Sequence, residues 1–262
     1  MDLGLTGKRA LVLGSSKGLG HGIAEQLAAE GAHVTLVGRN EDRLRQAADA
    51  ITARGAGTAR YVAVDMNGPE AVDRLVGGLA DGPGAIDILV NNSGGPPPGN
   101  ISAVTAEDWL KHFQAMVVTL IETTGRVLPG MRERGWGRIL TVASSGVIQP
   151  IPNLGISNTL RASLVNWGKT LSLEVAPDGV TVNTILPGRI QTERLEQLDA
   201  VASQRLNKSL EEVAAANKAQ IPVGRYGTVE EFASVATFLL SERASYVTGT
   251  VTLVDGGAVK SR

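Results

Sequence analysis

Short apolar runs alternate with amphipathic stretches along almost the whole chain. Residues 9–14 read as a buried strand because their apolar positions are consecutive. Leu19, Ile23, Leu27 and Ala28 then recur at helical spacing until Gly31 ends the pattern. The cycle repeats with a strand at 33–37 and a helix at 41–53, then a strand at 61–64 and a helix opened by Pro69 and Glu70. A fourth strand at 86–90 leads to a long helix over 106–134, whose apolar stripe is Trp109, Phe113, Met116, Leu120, Val127 and Met131. A strand at 139–142, a helix at 156–175 and a strand at 180–186 follow. A polar, less regular segment over 188–227 precedes a helix at 229–240 and a last strand at 250–254.

Strands separated by helices throughout predict an α/β fold: a doubly wound parallel sheet of Rossmann type, covered on both faces, in one domain over 1–262. Ligands of such sheets sit beyond the carboxyl ends of the strands. Attention therefore falls on 14–20, 38–40, 65–66, 91–99, 143–146 and the chain from Pro187 onward.

Composition removes several function classes. At 262 residues and 43% hydrophobic, the chain can bury a core without disulfides, and it has no cysteine for thiol chemistry or cysteine-based metal sites. Its three histidines, His21, His33 and His112, make no metal-ligand spacing with carboxylates, so no metal is expected. His112 is read as a surface or interface residue, with a substitute acid as the alternative. Twenty-five Lys+Arg against 26 Asp+Glu, scattered along the chain, argue against nucleic acid as a partner. The acidic start without a long apolar segment predicts no membrane partner and a cytoplasmic location.

The loop after the first strand carries Gly14, Ser16, Lys17, Gly18, Leu19 and Gly20 and opens a helix. Glycines allow a tight turn and close backbone approach, and free N–H groups at a helix start suit a pyrophosphate. About twenty residues on, where an NAD site places an acid, stand Gly38 and Arg39. With no carboxylate to repel a 2′-phosphate, and with Arg39 and Lys17 to meet it, NADP(H) is favoured and NAD(H) admitted.

These residues resemble the short-chain dehydrogenase/reductase family, nearest its β-ketoacyl carrier-protein reductase branch, over almost the whole chain. The motifs are the glycine loop, Asp65 and Met66, the run Asn91, Asn92, Ser93, Gly94, then Asn183 leading to Pro187 and Gly188, and Thr248 and Gly249 leading to 255–257. The resemblance implies adenine contacts at Asp65 and Met66 and cofactor contacts at Asn92, Ser93 and Gly94. It also implies a nicotinamide-closing segment with Pro187, Gly188, Ile190 and Thr192, a small-molecule substrate, and a homodimer or homotetramer built on the helices at 106–134 and 156–175. The family's catalytic pattern is Ser, Tyr thirteen on and Lys four further, with Asn on the preceding long helix. From Ser144 that spacing lands on Ser157 and Arg161, and Met116 stands at the Asn position. The only tyrosines are Tyr61, Tyr226 and Tyr246.

A serine is far less acidic than a phenol, so Ser157 does not simply replace tyrosine; an arginine stays protonated and cannot relay protons. Ser144, Ser157 and Arg161 form a cluster able to bind and polarise a carbonyl, in which the Arg161 guanidinium would anchor the cofactor ribose or a developing oxyanion. Ser145 is the alternative inward hydroxyl. The segment 188–227 is expected to form a substrate lid, polar at its start through Arg189, Glu193, Arg194 and Gln197, with a helix-like stretch at 209–218 whose alternating charge suits a solvated face. Two functions follow: an NADP(H)-dependent oxidoreductase moving a hydride to or from a small carbonyl or alcohol, or a non-redox dinucleotide-binding member (a regulatory or partner subunit, or a lyase-like enzyme) that has lost the catalytic tyrosine.

Overall fold

The computed structural model describes residues 1–68 and 70–260; Pro69, expected to open a helix, and the last two residues of the expected domain lie outside them. Seven strands form one parallel sheet: β1 (Arg9–Val12), β2 (His33–Gly38), β3 (Thr58–Ala63), β4 (Ile88–Asn91), β5 (Gly137–Val142), β6 (Val180–Pro187) and β7 (Val251–Val254), in the order β3-β2-β1-β4-β5-β6-β7. Alternate residues of each strand feed opposite faces. Ala10, Val12, Val34 and Leu36 pack under α1 (Gly18–Ala29), α2 (Glu41–Thr52) and the later helix that carries Phe232, whereas Leu11, Leu13, Val37 and Leu89 pack with Leu75, Leu120 and Leu164 on the other side. This two-sided burial is why the central strands read as unbroken apolar runs.

The remaining helices are α3 (Ala71–Gly77), α4 (Ala106–Phe113), α5 (Thr119–Glu133), α6 (Gly155–Val175), α7 (Glu193–Leu206), α8 (Leu210–Ala219) and α9 (Val229–Leu239). The strand order reverses at β1, whose neighbours are β2 and β4, so the loops after β1 and β4 part and leave a crevice.

Three expectations need correction. The third strand begins earlier than 61, because β3 pairs with β2 from Thr58 to Ala63 at the sheet edge, where it is half-buried and lacks an apolar run. The helix expected over 106–134 is interrupted at Gln114–Val118 by a π turn, in which the Thr119 amide bonds back to the Gln114 carbonyl. The segment 188–227 holds two regular helices: α8 matches the helix-like stretch expected at 209–218, whereas α7, capped by Thr192, is unexpected, because it buries only Leu195 and Asp199, too thin an apolar stripe to announce a period. Among the described residues no helix is long and apolar enough to cross a membrane.

Candidate active site

A cleft of about 840 Å³ opens at the carboxyl ends of the strands. Its floor is the turn from β1 into α1. Gly14 and Gly18 have φ of +58° and +63°, a conformation that favours glycine. A Cβ on Gly14 would stand 2.8 Å from the Asn92 carbonyl oxygen, and one on Gly20 would stand 2.6 Å from the carbonyl oxygen of Gly14. Asn92 holds the turn from across the crevice, its amide donating to the carbonyls of Leu13 (3.2 Å) and Gly14 (3.0 Å). Ser15 ties the same turn to β2: its hydroxyl donates to Val12 O and accepts from Val37 N. The start of α1 has no side-chain cap and no acidic residue in its first turn, which leaves unpaired amides and a positive dipole end for an anion. Ser16, Lys17, Gly18 and Leu19 all line the cleft beside it. This donor set fits a pyrophosphate.

At the end of β2, Gly38 and the exposed Arg39 line the cleft. A Cβ at Gly38 would come within 3.3 Å of the Ser16 side chain, so the position carries no acid and has little room for one. Lys17 does not stand free beside Arg39 as expected. Its ammonium pairs with Glu193, the first residue of α7, which also lies 3.4 Å from Arg43. The two cations, Lys17 first, hold the Glu193 carboxyl below the usual carboxylate range. The only signal for this bridge is the polar start of the lid, since a pairing across 176 residues leaves no trace in local pattern. Asp65 and Met66 line the adjoining wall, where Asp65 accepts from the Asn67 amide at 3.1 Å.

The opposite half of the cleft gathers Ser144, Ser157 and Arg161. Ser144 follows β5, and its hydroxyl accepts from Gly146 N at 3.1 Å; Ser145 also lines the cleft. Ser157 and Arg161 share a face of α6 one turn apart and are buried, as their spacing predicts. Arg161 donates to Ser157 Oγ (3.3 Å), Val142 O (2.8 Å) and Ser93 O (3.2 Å), linking α6 to the ends of β5 and β4. Burial, and then the nearby Arg194 charge, lower its pKa to about 10, so it remains a cation at neutral pH. Met116 lies in the π turn and faces the cleft, and the Thr119 hydroxyl donates to Gln114 O (2.9 Å). None of the three tyrosines lines the cleft among the described residues: Tyr61 reaches Glu41, Tyr226 donates to Asp199 at 2.8 Å, and Tyr246 is fully exposed.

The lid side brings Pro187, Gly188, Ile190 and Thr192 to the cleft. Gly188 is bonded through its amide to Val254 O at 2.9 Å, and the Thr192 hydroxyl caps α7 by accepting from Leu195 N at 3.3 Å while donating to Ile190 O at 3.3 Å. That hydroxyl is therefore already engaged in the position expected to meet a carboxamide. Gly94 also lines the cleft, as does His112, which is half-buried in the wall rather than on an outer surface. Sequence pattern marks Arg194 only as part of a polar stretch; in the structure its guanidinium donates to Pro96 O at 2.7 Å.

The protein-family profile described as Enoyl-(Acyl carrier protein) reductase matches residues 14–259. The 3-oxoacyl-(acyl-carrier-protein) reductase of Vibrio cholerae is 34% identical over 97% of this chain and 98% of its own. A D-beta-hydroxybutyrate dehydrogenase of Rhizobium meliloti is 32% identical over 95% of this chain and 98% of its own. The L-sorbose reductase of Gluconobacter frateurii, solved with NADPH and L-sorbose, is 36% identical, superposes with a TM-score of 0.93 and covers 100% of both chains.

Proposed function

The chain belongs to the short-chain dehydrogenase/reductase family, and from that premise we propose that it is an NADP(H)-linked oxidoreductase acting on a small organic carbonyl or alcohol. The observation that carries the cofactor reading is the uncapped start of α1, reached over a glycine turn that Asn92 holds open, with Arg39 at the adenosine end and no acid at Gly38. NADPH bound in a similar solved structure supports the same preference. Gly14, Ser16, Gly18, Leu19 and Gly20 would meet the pyrophosphate, Arg39 the 2′-phosphate, and Asp65 and Met66 the adenine. Lys17 would join Arg39 only on leaving Glu193. Asn92, Ser93, Gly94, Pro187, Gly188, Ile190 and Thr192 would surround the nicotinamide half.

The nicotinamide, when bound, supplies or accepts the hydride. This chain's residues orient and polarise the substrate oxygen. Arg161 donates to Ser157 Oγ, and an oxygen that accepts a charge-assisted bond makes its own O–H a stronger donor. Ser157 and Ser144 would direct their hydroxyls at the substrate oxygen, while Arg161 steadies negative charge that develops there. Neither serine is acidic enough to replace a phenol as proton source, so the proton comes from water or from the substrate.

The absence of a tyrosine from the cleft among the described residues favours a second reading, a dinucleotide-binding protein without redox turnover. One experiment separates the two: NADPH is titrated by its fluorescence, and its oxidation is then followed with aldehydes, ketones and activated alkenes. Binding with turnover supports the oxidoreductase, binding without turnover the second reading, and no binding removes both. We also propose a single domain over 1–262, a cytoplasmic protein and a homodimer or homotetramer. Leu110 and Phe113 on α4 and Leu173 on α6 expose apolar surface suited to such contacts, and light scattering would count the subunits.

A further inference from the structure

The substrate half of the cleft is cationic beyond what the cofactor requires. Among the described residues that line the cleft, the carboxylates are Asp65, bonded to Asn67, and Glu193, engaged by Lys17 and Arg43. Neither pairs with Arg161 or Arg194, and these two arginines have no acid partner among the described residues. The two guanidiniums are anchored on one short loop, Arg161 on the Ser93 carbonyl and Arg194 on the Pro96 carbonyl. A Cβ on Gly95, between these anchors, would lie 3.0 Å from Arg194 Nη2. Arg161 spends three of its five N–H groups on Ser157, Val142 and Ser93, and Arg194 spends one on Pro96, so donors from both remain for a ligand.

Two partly desolvated like charges without a counterion are costly, and an anion shared between them relieves both desolvation and repulsion. The same cleft carries an apolar wall made by Pro97, Pro150, Ile151, Pro152 and Leu154. That setting suits a compact, singly charged head on an apolar body better than a strongly hydrated dianionic phosphate.

We propose that the substrate is a carboxylate-bearing carbonyl compound, its carboxylate held by Arg194 together with Arg161 while its carbonyl faces Ser157. The anion site itself stands on the arginine geometry; the redox role of the bound acid rests on the function proposed above. The test uses 3-benzoylpropionate, its methyl ester and phenyl phosphate as calorimetric probes of the whole protein, with and without NADPH, whose own binding is followed by fluorescence. The acid should bind about tenfold or more tighter than the ester, as loss of a charge-assisted bond predicts. Arg194→Gln should erase most of that preference and leave NADPH affinity unchanged, and Arg194→Lys should keep part of it.

Equal binding of acid and ester, no binding of the acid, or an undiminished preference in Arg194→Gln would overturn the proposal, as would phenyl phosphate binding tighter than the acid. Should Arg194→Gln fail to fold, the acid–ester comparison on the unaltered protein decides. Failure of NADPH to bind would instead remove the cofactor reading, with the acid–ester comparison on the free protein still deciding the anion site.

Discussion

Replacing Gly20 with alanine tests the turn on which the cofactor reading depends. The added Cβ would lie 2.6 Å from the Gly14 carbonyl oxygen and 2.8 Å from the Asn92 amide nitrogen. Both approaches are roughly 0.7 Å or more inside ordinary contact. The nearest obstacle is backbone, so rotation of a side chain cannot relieve it. Overpacking of this kind costs about 1–3 kcal/mol. In a chain of this size about 2 kcal/mol corresponds to a fall in melting temperature of roughly 4–8 °C. The displaced atoms also belong to the turn that presents the start of α1, so cofactor protection should fall with stability. NADPH at a hundred times its Kd should stabilise the unaltered protein by about 2.7 kcal/mol, and the variant by clearly less at the same concentration. Gly77→Ala serves as the matched control: a Cβ there meets nothing within 4 Å at the end of α3, and the change should be neutral or stabilising by about 0.5 kcal/mol. Melting curves followed by circular dichroism, each with and without NADPH, read both effects. A Gly20→Ala protein with unaltered melting and unaltered NADPH protection would refute the reasoning.

Arg39→Ala should weaken NADPH about tenfold or more while leaving NADH nearly unchanged, because only the 2′-phosphate loses a charge-assisted bond; equal losses for both, in fluorescence titration, would remove Arg39 from that role. Glu193→Gln should free Lys17 and Arg43 and tighten NADPH about two- to tenfold at low salt, with a smaller gain at high salt because the pairs are exposed. Weaker binding in that variant would show that Glu193 supports the bound state instead of competing with it.

The central strands and the glycine loop are legible in the sequence because each is a local pattern: consecutive apolar residues for a strand buried on both faces, glycines where strand gives way to helix. The start of β3 is not, because an edge strand, half-exposed and carrying Arg60 and Tyr61, has no such run. The π turn at Gln114–Val118 is invisible, since an apolar stripe of helical period passes straight through it. At the site, the spacing of the family pattern, counted from Ser144, points to Ser157 and Arg161, and the cleft gathers all three. It cannot place Lys17, whose partner Glu193 comes from a helix that enters the sequence much later. The motif assigns Thr192 to a ligand, whereas a threonine before a helix with a free amide at N3 also serves as a cap. Arg194 is hidden among neighbouring charges, and only burial and the Pro96 carbonyl set it apart.

The extra residue in the winding between α4 and α5 fixes the rotational phase of everything upstream of it. An α-helix advances about 100° per residue. Deleting one residue from 114–118 and letting the segment rewind regularly would therefore keep α4 in phase, whereas regular winding with every residue kept would swing α4 by roughly that angle about its axis. His112 would leave the cleft wall, and the outward-facing Leu110 and Phe113 would change their bearing together with it. Shape of the pocket and orientation of the outer apolar surface are thus geared to one another, and a change of winding here cannot alter one without the other.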